Sequence, residues 1–430
     1  MNLRTLLVDS FRVALAAADP LLLVPQHLPK PPAGGKTIVV GAGKAAAAMA
    51  KAVEQAFPPE APLEGLVITR YAHGYTGTEA LRRIRVIEAG HPVPDNAGEM
   101  AAKEILALVQ SASANDLVLA LISGGGSSLL SLPAADISLA DLKTVTKALL
   151  ASGAPIQEMN IVRKHLSAIQ GGHLAAACSA QMLSLIISDV TGDEPSSIAS
   201  GPTSPDPSTY QGALAILNAY RVSPPISIAR HLSKGARGEI AETLKPGNEI
   251  FKRVDNRVIA TAYASLASAA AYFQLRGIAP MILGDSVTGE AREVAKVYAA
   301  LCRQIRDHHH PLKPPVALIS GGECTVTLDD NNPGRGGRCT EFLLALAIEL
   351  AGLKGISALA CDTDGIDGSE NNAGAFLPDD ALNTARNKGF EAKACLAQHD
   401  AYGFFSGIDE LIVTGPTRTN VNDYRVILIE

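Results

Sequence analysis

The stretch ALISGG occurs twice in this chain of 430 residues, at 120–125 and again at 317–322. Each copy is a short apolar run that ends in a serine and two glycines, and the stretch IVVGAGK at 38–44 has the same layout. Short apolar runs are typical of buried parallel strands, and open α/β sheets bind ligands beyond the carboxyl ends of their strands. Glycines at those ends let backbone N–H groups approach an anion. The three stretches predict an α/β protein that handles phosphate groups.

Strands and helices alternate around these stretches. In the first half of the chain, apolar runs predict strands at 37–40, 65–69, 84–88, 117–122 and 183–188. A helix is predicted directly after the first strand, over about 44–57, where Pro58 ends it. Such alternation indicates a doubly wound sheet. A second series of strands, beginning at 257–261, predicts a second α/β lobe.

Three local predictions concern segments rich in charge or glycine. A helix is expected over 159–177, with basic residues at 163–165 in its opening turn. An antiparallel strand is expected at 325–328, after the second ALISGG copy. The glycine-rich loop 334–338 is expected to open a helix that runs from 340 to 351.

Composition narrows the class of protein and of partner. Hydrophobic residues make up 47% of the chain and charged residues 19%, which is typical of a globular protein. A net charge of −6 argues against nucleic acid and anionic membranes as partners, and no apolar run reaches the roughly 18 residues that span a bilayer. The six cysteines form no C-x-x-C pair, as expected in a reducing compartment. We predict a cytoplasmic protein that acts on small molecules; homo-oligomer formation is compatible with these features.

The glycine loop at 41–44 resembles parts of two phosphate-binding motifs. A P-loop requires G-x-x-x-x-G-K-[ST], which is not found in the chain. Gly41, Gly43 and Ala46 satisfy the dinucleotide pattern G-x-G-x-x-G/A, but the second strand ends near Arg70 rather than at an acidic residue. That end would suit NADP better than NAD. Lys44 is unfavourable at a helix N-terminus unless an anion binds there, which favours a functional lysine.

A second candidate anion site follows the fourth predicted strand. It offers consecutive backbone donors and three hydroxyl groups, from Ser123, Gly124, Gly125, Gly126, Ser127 and Ser128. A tight turn needs only one or two glycines, whereas this loop has three. The loop therefore predicts a site for phosphate or carboxylate oxygens.

Two groups of aspartates follow buried strands. Asp189 and Asp193 form the first group, and Asp364 lies in the second, which spans 362–367. Carboxylates at strand ends are usual magnesium ligands when water and phosphate complete the coordination. Aspartates also cap helices and form Asx turns, and this alternative stays open for each of them.

Four more side chains are candidates for substrate contacts. Arg338 follows a glycine-rich loop, and Arg163 belongs to a basic run. Arginine binds planar carboxylates and phosphoryl groups through two parallel hydrogen bonds. His91 lies in a stiff loop between Gly90 and Pro92, and Glu323 follows the second ALISGG copy. Surface solvation and structural hydrogen bonding are the competing interpretations.

Taken together, these motifs resemble the class II glycerate 2-kinases of the MOFRL family. The resemblance covers nearly the whole chain in the same order, and it is carried by the segments 39–44, 90–95, 121–128, 160–173, 188–193, 334–341 and 363–368. It implies a Rossmann-like doubly wound N-terminal domain over 1–240, a smaller MOFRL domain over 250–430, and an active site in the cleft between them. It also implies phosphorylation of D-glycerate at position 2, with ATP and Mg²⁺ as cofactors.

The resemblance also assigns residue roles. The family's catalytic lysine falls on Lys44 and its essential arginine on Arg338, while Cys339 stands where the family has asparagine. Our hypothesis is that Lys44 and Arg338 stabilise the γ-phosphoryl charge and that Asp189 or Asp193 binds magnesium. The loop 123–128 and the Asp364 loop would hold substrate and nucleotide. Either Arg163 or Arg338 would bind the glycerate carboxylate.

Two other functions are compatible with parts of the pattern. An NAD(P)H-dependent hydroxypyruvate reductase would use the loop from Gly41 to Ala46 to bind pyrophosphate. A sugar-acid or nucleotide-binding regulator would bind without turnover, but it would not need Lys44 and Arg338 together with two aspartate groups. Incubation with glycerate, ATP and magnesium distinguishes the three by ADP release, NADPH oxidation or binding alone.

Overall fold

The computed structural model describes residues 2–328 and 334–430. Contacts between Cα atoms divide the chain into an N-terminal unit, Pro20–Ile259, and a C-terminal unit, Met1–Asp19 with Ala260–Glu430. Helix α1 (Leu3–Ala16) thus belongs to the C-terminal unit although it comes first in the sequence. The domain limits expected from the sequence, 1–240 and 250–430, stay predictions.

The N-terminal unit is built on a single large sheet. Within the described residues its six strands are β1 (Thr37–Ala42), β2 (Leu63–Arg70), β3 (Ile84–Ala89), β4 (Leu117–Ser123), β5 (Gln181–Ile187) and β6 (Val254–Ala260). Its helices are α2 (Pro20–His27), α3 (Ala46–Ala56), α4 (Asn96–Gln110), α5 (Gly126–Leu129), α6 (Leu139–Ala151), α7 (Ile156–His165), α8 (His173–Ala176), α9 (Tyr210–Ala219) and α10 (Ile226–Ala236).

The strand order of this sheet is β3-β2-β1-β4-β5-β6, and β1 to β5 are parallel. The order reverses between β1 and β4, which is the switch point where doubly wound sheets bind ligands. In the register, Gly41 pairs with Leu121 and Ala42 with Ile122, so the two strands end side by side. A Cβ atom at Gly41 would lie 2.1 Å from the carbonyl oxygen of Leu121, which explains the glycine. The predicted doubly wound sheet is confirmed.

The C-terminal unit has a mixed sheet. Among its described residues, the strands are β7 (Ala279–Gly284), β8 (Gly289–Glu290), β9 (Val316–Ser320), β10 (Cys324–Thr325), β11 (Ile356–Asp362), β12 (Gly374–Leu377), β13 (Leu411–Ile412) and β14 (Asp423–Ile429). Besides α1, the helices are α11 (Ala262–Gln274), α12 (Ala291–His308), α13 (Arg338–Leu350), α14 (Ala381–Asn387), α15 (Ala392–Ala397) and α16 (Ala401–Gly407). The sheet order is β13-β12-β11-β14-β9-β7, and only the β7–β9 pair in it is parallel. The second predicted α/β lobe is therefore confirmed.

Three local predictions are wrong. The strand expected to open the second lobe, 257–261, is the end of β6 and joins the first sheet. The antiparallel strand expected at 325–328 is instead the short strand β10, which pairs in parallel with β8. The helix expected over 159–177 ends at His165, and the chain passes through left-handed conformations at Gly171 and Gly172 before the short helix α8 begins. The basic residues 163–165 therefore lie in the last turn of α7, where the helix dipole favours cations.

Helix α1 packs on the C-terminal sheet. Leu7 and Phe11 are buried in one cluster with Phe273 and Tyr424, and the Tyr424 hydroxyl donates a hydrogen bond to Ser10 Oγ at 2.8 Å. Five of the six cysteines are buried, and all six are free thiols. Every helix in residues 2–328 and 334–430 is too short or too polar to cross a membrane.

Candidate active site

The glycine loops after β1 and β4 are joined to each other at the switch point of the N-terminal sheet. The Lys44 N–H donates to the Gly124 carbonyl oxygen at 2.8 Å, and the Ala45 N–H donates to Ser123 Oγ at 3.0 Å. Gly43 has φ +141°, and a Cβ atom there would lie 2.1 Å from Ser123 Oγ. Only glycine fits this approach. Ser123, predicted as a ligand-binding residue, therefore fixes the two loops against each other.

Lys44 and His91 meet at Gly125. A Cβ atom built on Gly125 would lie 3.0 Å from His91 Cδ2 and Nε2 and 3.4 Å from Lys44 Cγ. Gly125 has φ +80°, a conformation that disfavours any side chain. The structure thus brings together three residues that the sequence predicted at the site but placed in three separate loops.

A second layer of residues holds the loop 124–128 in place. The Gln170 amide donates to the Ser127 carbonyl oxygen at 2.8 Å, and Ser200 Oγ donates to Ser127 Oγ at 2.9 Å. Ala199 and Ser200 have φ of 51° and 59°, which is strained for residues with a side chain. Ala199 Cβ would be 2.5 Å from a Cβ at Gly126, so that glycine is also required. Sequence reasoning missed Gln170 and Ser200, because their contacts span 43 and 73 residues of the chain.

A shallow pocket, open to solvent at its mouth, lies beside the same loop. Its polar lining comes from α5, α6, α7 and the segments that follow α5 and α7, and consists of Ser127, Ser128, Ser131, Thr146, Arg163, Ser167 and Gln170. The Arg163 side chain donates to the Asn160 side-chain oxygen at 3.1 Å. Burial lowers the pKa of Arg163 to about 10. The pocket therefore places a cation next to the predicted anion-binding loop.

Asp189 and Asp193 follow β5 and are both partly exposed. Asp193 adopts a left-handed conformation, with φ 55°, in the turn that starts at Ser188. In the described part of the chain, no group of three or more His, Cys, Asp or Glu side chains is arranged to hold a metal ion.

In the C-terminal unit, carboxylates surround Arg338 at the start of α13. Its Nε donates to Asp423 Oδ1 at 2.8 Å and its Nη2 to Asp362 Oδ2 at 2.7 Å, while Nη1 lies 3.0 Å from Glu323 Oε1. Burial disfavours the guanidinium charge, but Asp423, Asp362 and Glu323 outweigh it and raise the pKa of Arg338 well above its ordinary value. The side chains of Asp423 and Asp362 are buried, whereas that of Glu323 is 57% exposed. Arg338 is thus held by buried carboxylates on two sides and by the exposed carboxylate of Glu323 on the third.

Asp423 also connects Arg338 to the end of the second ALISGG stretch. It pairs with Arg425, which is fully buried, and Arg425 Nη1 donates to the Gly321 carbonyl oxygen at 3.0 Å. The Asp423 N–H donates to the Gly322 carbonyl oxygen at 3.1 Å. Sequence reasoning missed Asp423 and Arg425; the available signal was two opposite charges in the otherwise apolar strand β14.

The aspartates of the 362–367 segment mainly organise the backbone. Asp364 Oδ1 accepts from the Ile366 N–H at 2.9 Å, which is an Asx turn. Asp367 accepts from the N–H groups of Cys339 and Thr340, both at 2.9 Å, and so caps α13. Burial raises the pKa of Asp367 against these hydrogen bonds. Cys339 is fully buried in the core of this unit, so its side chain is a packing group.

Comparisons with known protein families and structures agree with this architecture. Residues 6–233 match a family model described as "Domain of unknown function (DUF4147)", and residues 316–423 match the model of the MOFRL family. The fold is similar to the crystal structure of a glycerate kinase from Thermotoga maritima, with a TM-score of 0.85 and 34% identity, covering 100% of this chain and 99% of that one.

Two curated relatives are similar over most of their length. A glycerate 2-kinase from Pyrococcus horikoshii is 40% identical over 397 residues, which covers 92% of this chain and 88% of that protein. A protein from Agrobacterium vitis, named "Putative hydroxypyruvate reductase", is 49% identical over 430 residues, which covers 100% of this chain and 95% of that protein.

Proposed function

The chain belongs to the family whose members combine a DUF4147 domain with a MOFRL domain, and on this premise we propose that it is a glycerate 2-kinase. The reaction transfers the γ-phosphoryl group of ATP to D-glycerate and yields 2-phosphoglycerate and ADP. The observation that supports it best is the meeting of Lys44 and His91 at Gly125, at the switch point of a doubly wound sheet.

Phosphoryl transfer requires positioning and charge neutralisation more than covalent chemistry. In this proposal Lys44 stabilises the negative charge on the transferred phosphoryl group, and backbone N–H groups of the loop 124–128 bind phosphate oxygens. Arg338 contributes a second positive charge in this proposal; its Nε and Nη2 are held by Asp423 and Asp362, and its Nη1 lies 3.0 Å from the exposed carboxylate of Glu323. His91 orients the groups that bind at Gly125.

Magnesium would be held by Asp189 or Asp193, with water and phosphate oxygens as its other ligands. When bound, the ion would neutralise charge on the nucleotide phosphates. The partly exposed carboxylates after β5 fit that role because they lie at the same end of the parallel sheet as the two glycine loops.

The test is the substitution Lys44→Ala, assayed with D-glycerate, ATP and magnesium. We expect kcat to fall by about 1,000-fold, the usual scale for losing one group that stabilises transition-state charge, while KM for ATP changes by less than about fivefold. The matched control is Lys51→Ala. Lys51 lies in α3, seven residues after Lys44, and its ammonium pairs with Glu79 at 3.3 Å. Wild-type activity is expected for that control. Turnover of Lys44→Ala within tenfold of wild type would contradict the assignment.

The same assay distinguishes the alternative function. Gly41, Gly43 and Ala46 fit a dinucleotide loop, and one relative carries the name of a hydroxypyruvate reductase. That function predicts oxidation of NADPH by hydroxypyruvate without ATP. A ³¹P spectrum that shows 2-phosphoglycerate, together with no NADPH oxidation, would favour the kinase.

A further inference from the structure

Arg163 is a cation in the wall of a pocket, and its side chain is hydrogen-bonded to a neutral group. It lies in the last turn of α7, is only partly exposed, and donates to the Asn160 amide oxygen at 3.1 Å. No carboxylate within residues 2–328 and 334–430 forms an ion pair with it. Enclosing a charge without a counter-charge is unfavourable unless another ion compensates it.

Three other cations in the described part of the chain, Lys164, Arg425 and Arg338, are compensated by carboxylates. Lys164, the next residue, pairs with the buried carboxylate of Asp206 at 3.1 Å. Arg425 pairs with Asp423, and Arg338 with three carboxylates. Arg163 differs from these residues in that no carboxylate of the described residues pairs with it. Because it lines a pocket that opens to solvent, a counter-anion can reach it from outside.

The residues that line the pocket indicate which kind of anion would bind there. Hydroxyl-bearing side chains, including Ser131 and Thr146, line it together with the apolar groups Leu132 and Leu142. A guanidinium is planar and matches a carboxylate through two parallel hydrogen bonds. These features fit a small carboxylic acid that carries hydroxyl groups.

The pocket also shares two residues with the proposed phosphate site. Ser127 and Ser128 line it, and both belong to the loop whose Gly125 contacts Lys44 and His91. A small acid with its carboxylate at Arg163 would therefore extend its other end toward that loop. Arg338, the other arginine considered for this task, already has carboxylates at all three donor positions.

We propose that Arg163 binds the carboxylate of the hydroxy acid that accepts the phosphoryl group, and that the pocket around it is the acceptor subsite. This assignment rests on the proposed function. It makes Arg163 responsible for selecting a charged acid over a neutral molecule of the same shape. It assigns no part of ATP binding to Arg163.

The test compares Arg163→Met with the wild-type enzyme on D-glycerate and on D-glyceramide, its uncharged amide. KM for D-glycerate should rise by about 100-fold, the scale of a lost charge-assisted pair of hydrogen bonds, while KM for ATP stays within about threefold. Wild-type enzyme should prefer the acid over the amide, and Arg163→Met should lose most of that preference. Without ligand, the melting temperature of Arg163→Met should not fall, because an uncompensated charge is removed.

Arg253→Met is the matched control. Arg253 is also partly exposed, lies in the same unit and donates to a single neutral oxygen, the Cys178 carbonyl, at 2.9 Å. Its replacement should leave KM for D-glycerate and the preference for the acid unchanged. If Arg163→Met does not fold, Arg163→Lys serves instead and should keep the preference with a raised KM.

Two results would overturn the proposal: an unchanged KM for D-glycerate in Arg163→Met, or an undiminished preference for the acid. Calorimetric titration with D-glycerate alone separates this proposal from the kinase function. Binding to wild type but not to Arg163→Met, in an enzyme without kinase turnover, would support the subsite and reject the kinase. If wild type turns over D-glycerate and Arg163→Met binds it equally well, the subsite is wrong and the kinase stands.

Discussion

Asp423 holds two arginines of the C-terminal unit in place, a role that its position in the sequence does not indicate. Its carboxylate accepts from Arg338 Nε at 2.8 Å and also pairs with Arg425. Asp423 and Arg425 have side chains with no exposed surface. A buried ion pair gives little net stability when intact, but removing one partner leaves the other charge uncompensated.

We therefore expect Asp423→Asn to lower the free energy of unfolding by about 3 kcal/mol or more, the usual result of breaking a buried pair. The kcat should fall as well, because the Arg338 guanidinium loses one of the two carboxylates that orient it. Glu323→Gln is the control on the exposed side of the same arginine, and there a stability change below about 1 kcal/mol is expected. Urea unfolding and steady-state kinetics check both variants. Equal losses of stability in the two would contradict the central role of Asp423.

At the scale of single residues, the sequence predicts the chemical role of a side chain better than it predicts which distant residue that side chain contacts. Lys44 and Arg338 are recognisable because each follows a glycine loop at or just before the start of a helix. Asp423 lies 85 residues after Arg338, and nothing in the sequence joins the two. Ser123 shows the opposite case, since its type and position suggest a ligand while its hydroxyl is used between two loops.

At the scale of elements, the junction of β1 and β4 depends on the space left by missing side chains. Gly43 and Gly125 both adopt positive φ. Gly43 faces Ser123 in the loop after β4, and Gly125 faces the side chains of His91 and Lys44. Long apolar strands such as these are predictable because four or more consecutive buried positions give a strong signal. The strands β8 and β10 have two residues each, and only their parallel pairing, formed across 35 residues, defines them.

Gly125→Ala tests whether this empty space matters for activity. The new Cβ would lie 3.0 Å from the His91 ring, which must give by a few tenths of an ångström, and 3.4 Å from Lys44 Cγ, which is an ordinary contact distance. We expect kcat to fall by about tenfold, less than the roughly 100-fold that a displacement of about 1 Å at a catalytic group costs. The strained backbone should also cost about 1–2 kcal/mol of stability.

Gly153→Ala separates the two effects. Gly153 has φ +74°, close to that of Gly125, but a Cβ atom there meets nothing within 4 Å. Its stability loss should therefore match that of Gly125→Ala, while its kcat stays at the wild-type value. A similar loss of kcat in both variants would show that strain alone, rather than the contact with Lys44 and His91, reduces activity.

At the scale of the whole molecule, the chain order of the elements differs from their grouping in space. Helix α1 precedes the N-terminal sheet but packs in the C-terminal unit, and β6 completes the first sheet after a long polar segment. The hydrophobic pattern of α1 predicts an apolar face. It does not say which sheet covers that face, because both sheets offer the same kind of surface. The two-lobe α/β class was therefore predictable, and the assignment of the first helix was not.

Phe11→Ala tests that grouping. Phe11 is 1% exposed and packs 5.8 Å from the Tyr424 ring, measured between centroids. Its truncation should cost about 3–5 kcal/mol, as for other buried phenylalanines. Because Phe11 packs in the C-terminal unit, faster amide hydrogen exchange should appear in β14 and α11 and not in β1 or β4.

The matched substitution is Phe57→Ala, at the end of α3, where the side chain is 4% exposed in the N-terminal unit. It removes the same group at similar burial, so its cost should be similar, but the faster exchange should appear in β1 and β2 instead. Mass spectrometry of exchanged peptides gives both patterns in one experiment. If Phe11→Ala loosened the N-terminal sheet as much as the C-terminal one, the two units would unfold together and α1 would not belong to one of them alone. Opposite patterns in the two variants would establish that the first helix stabilises the last strand of the chain.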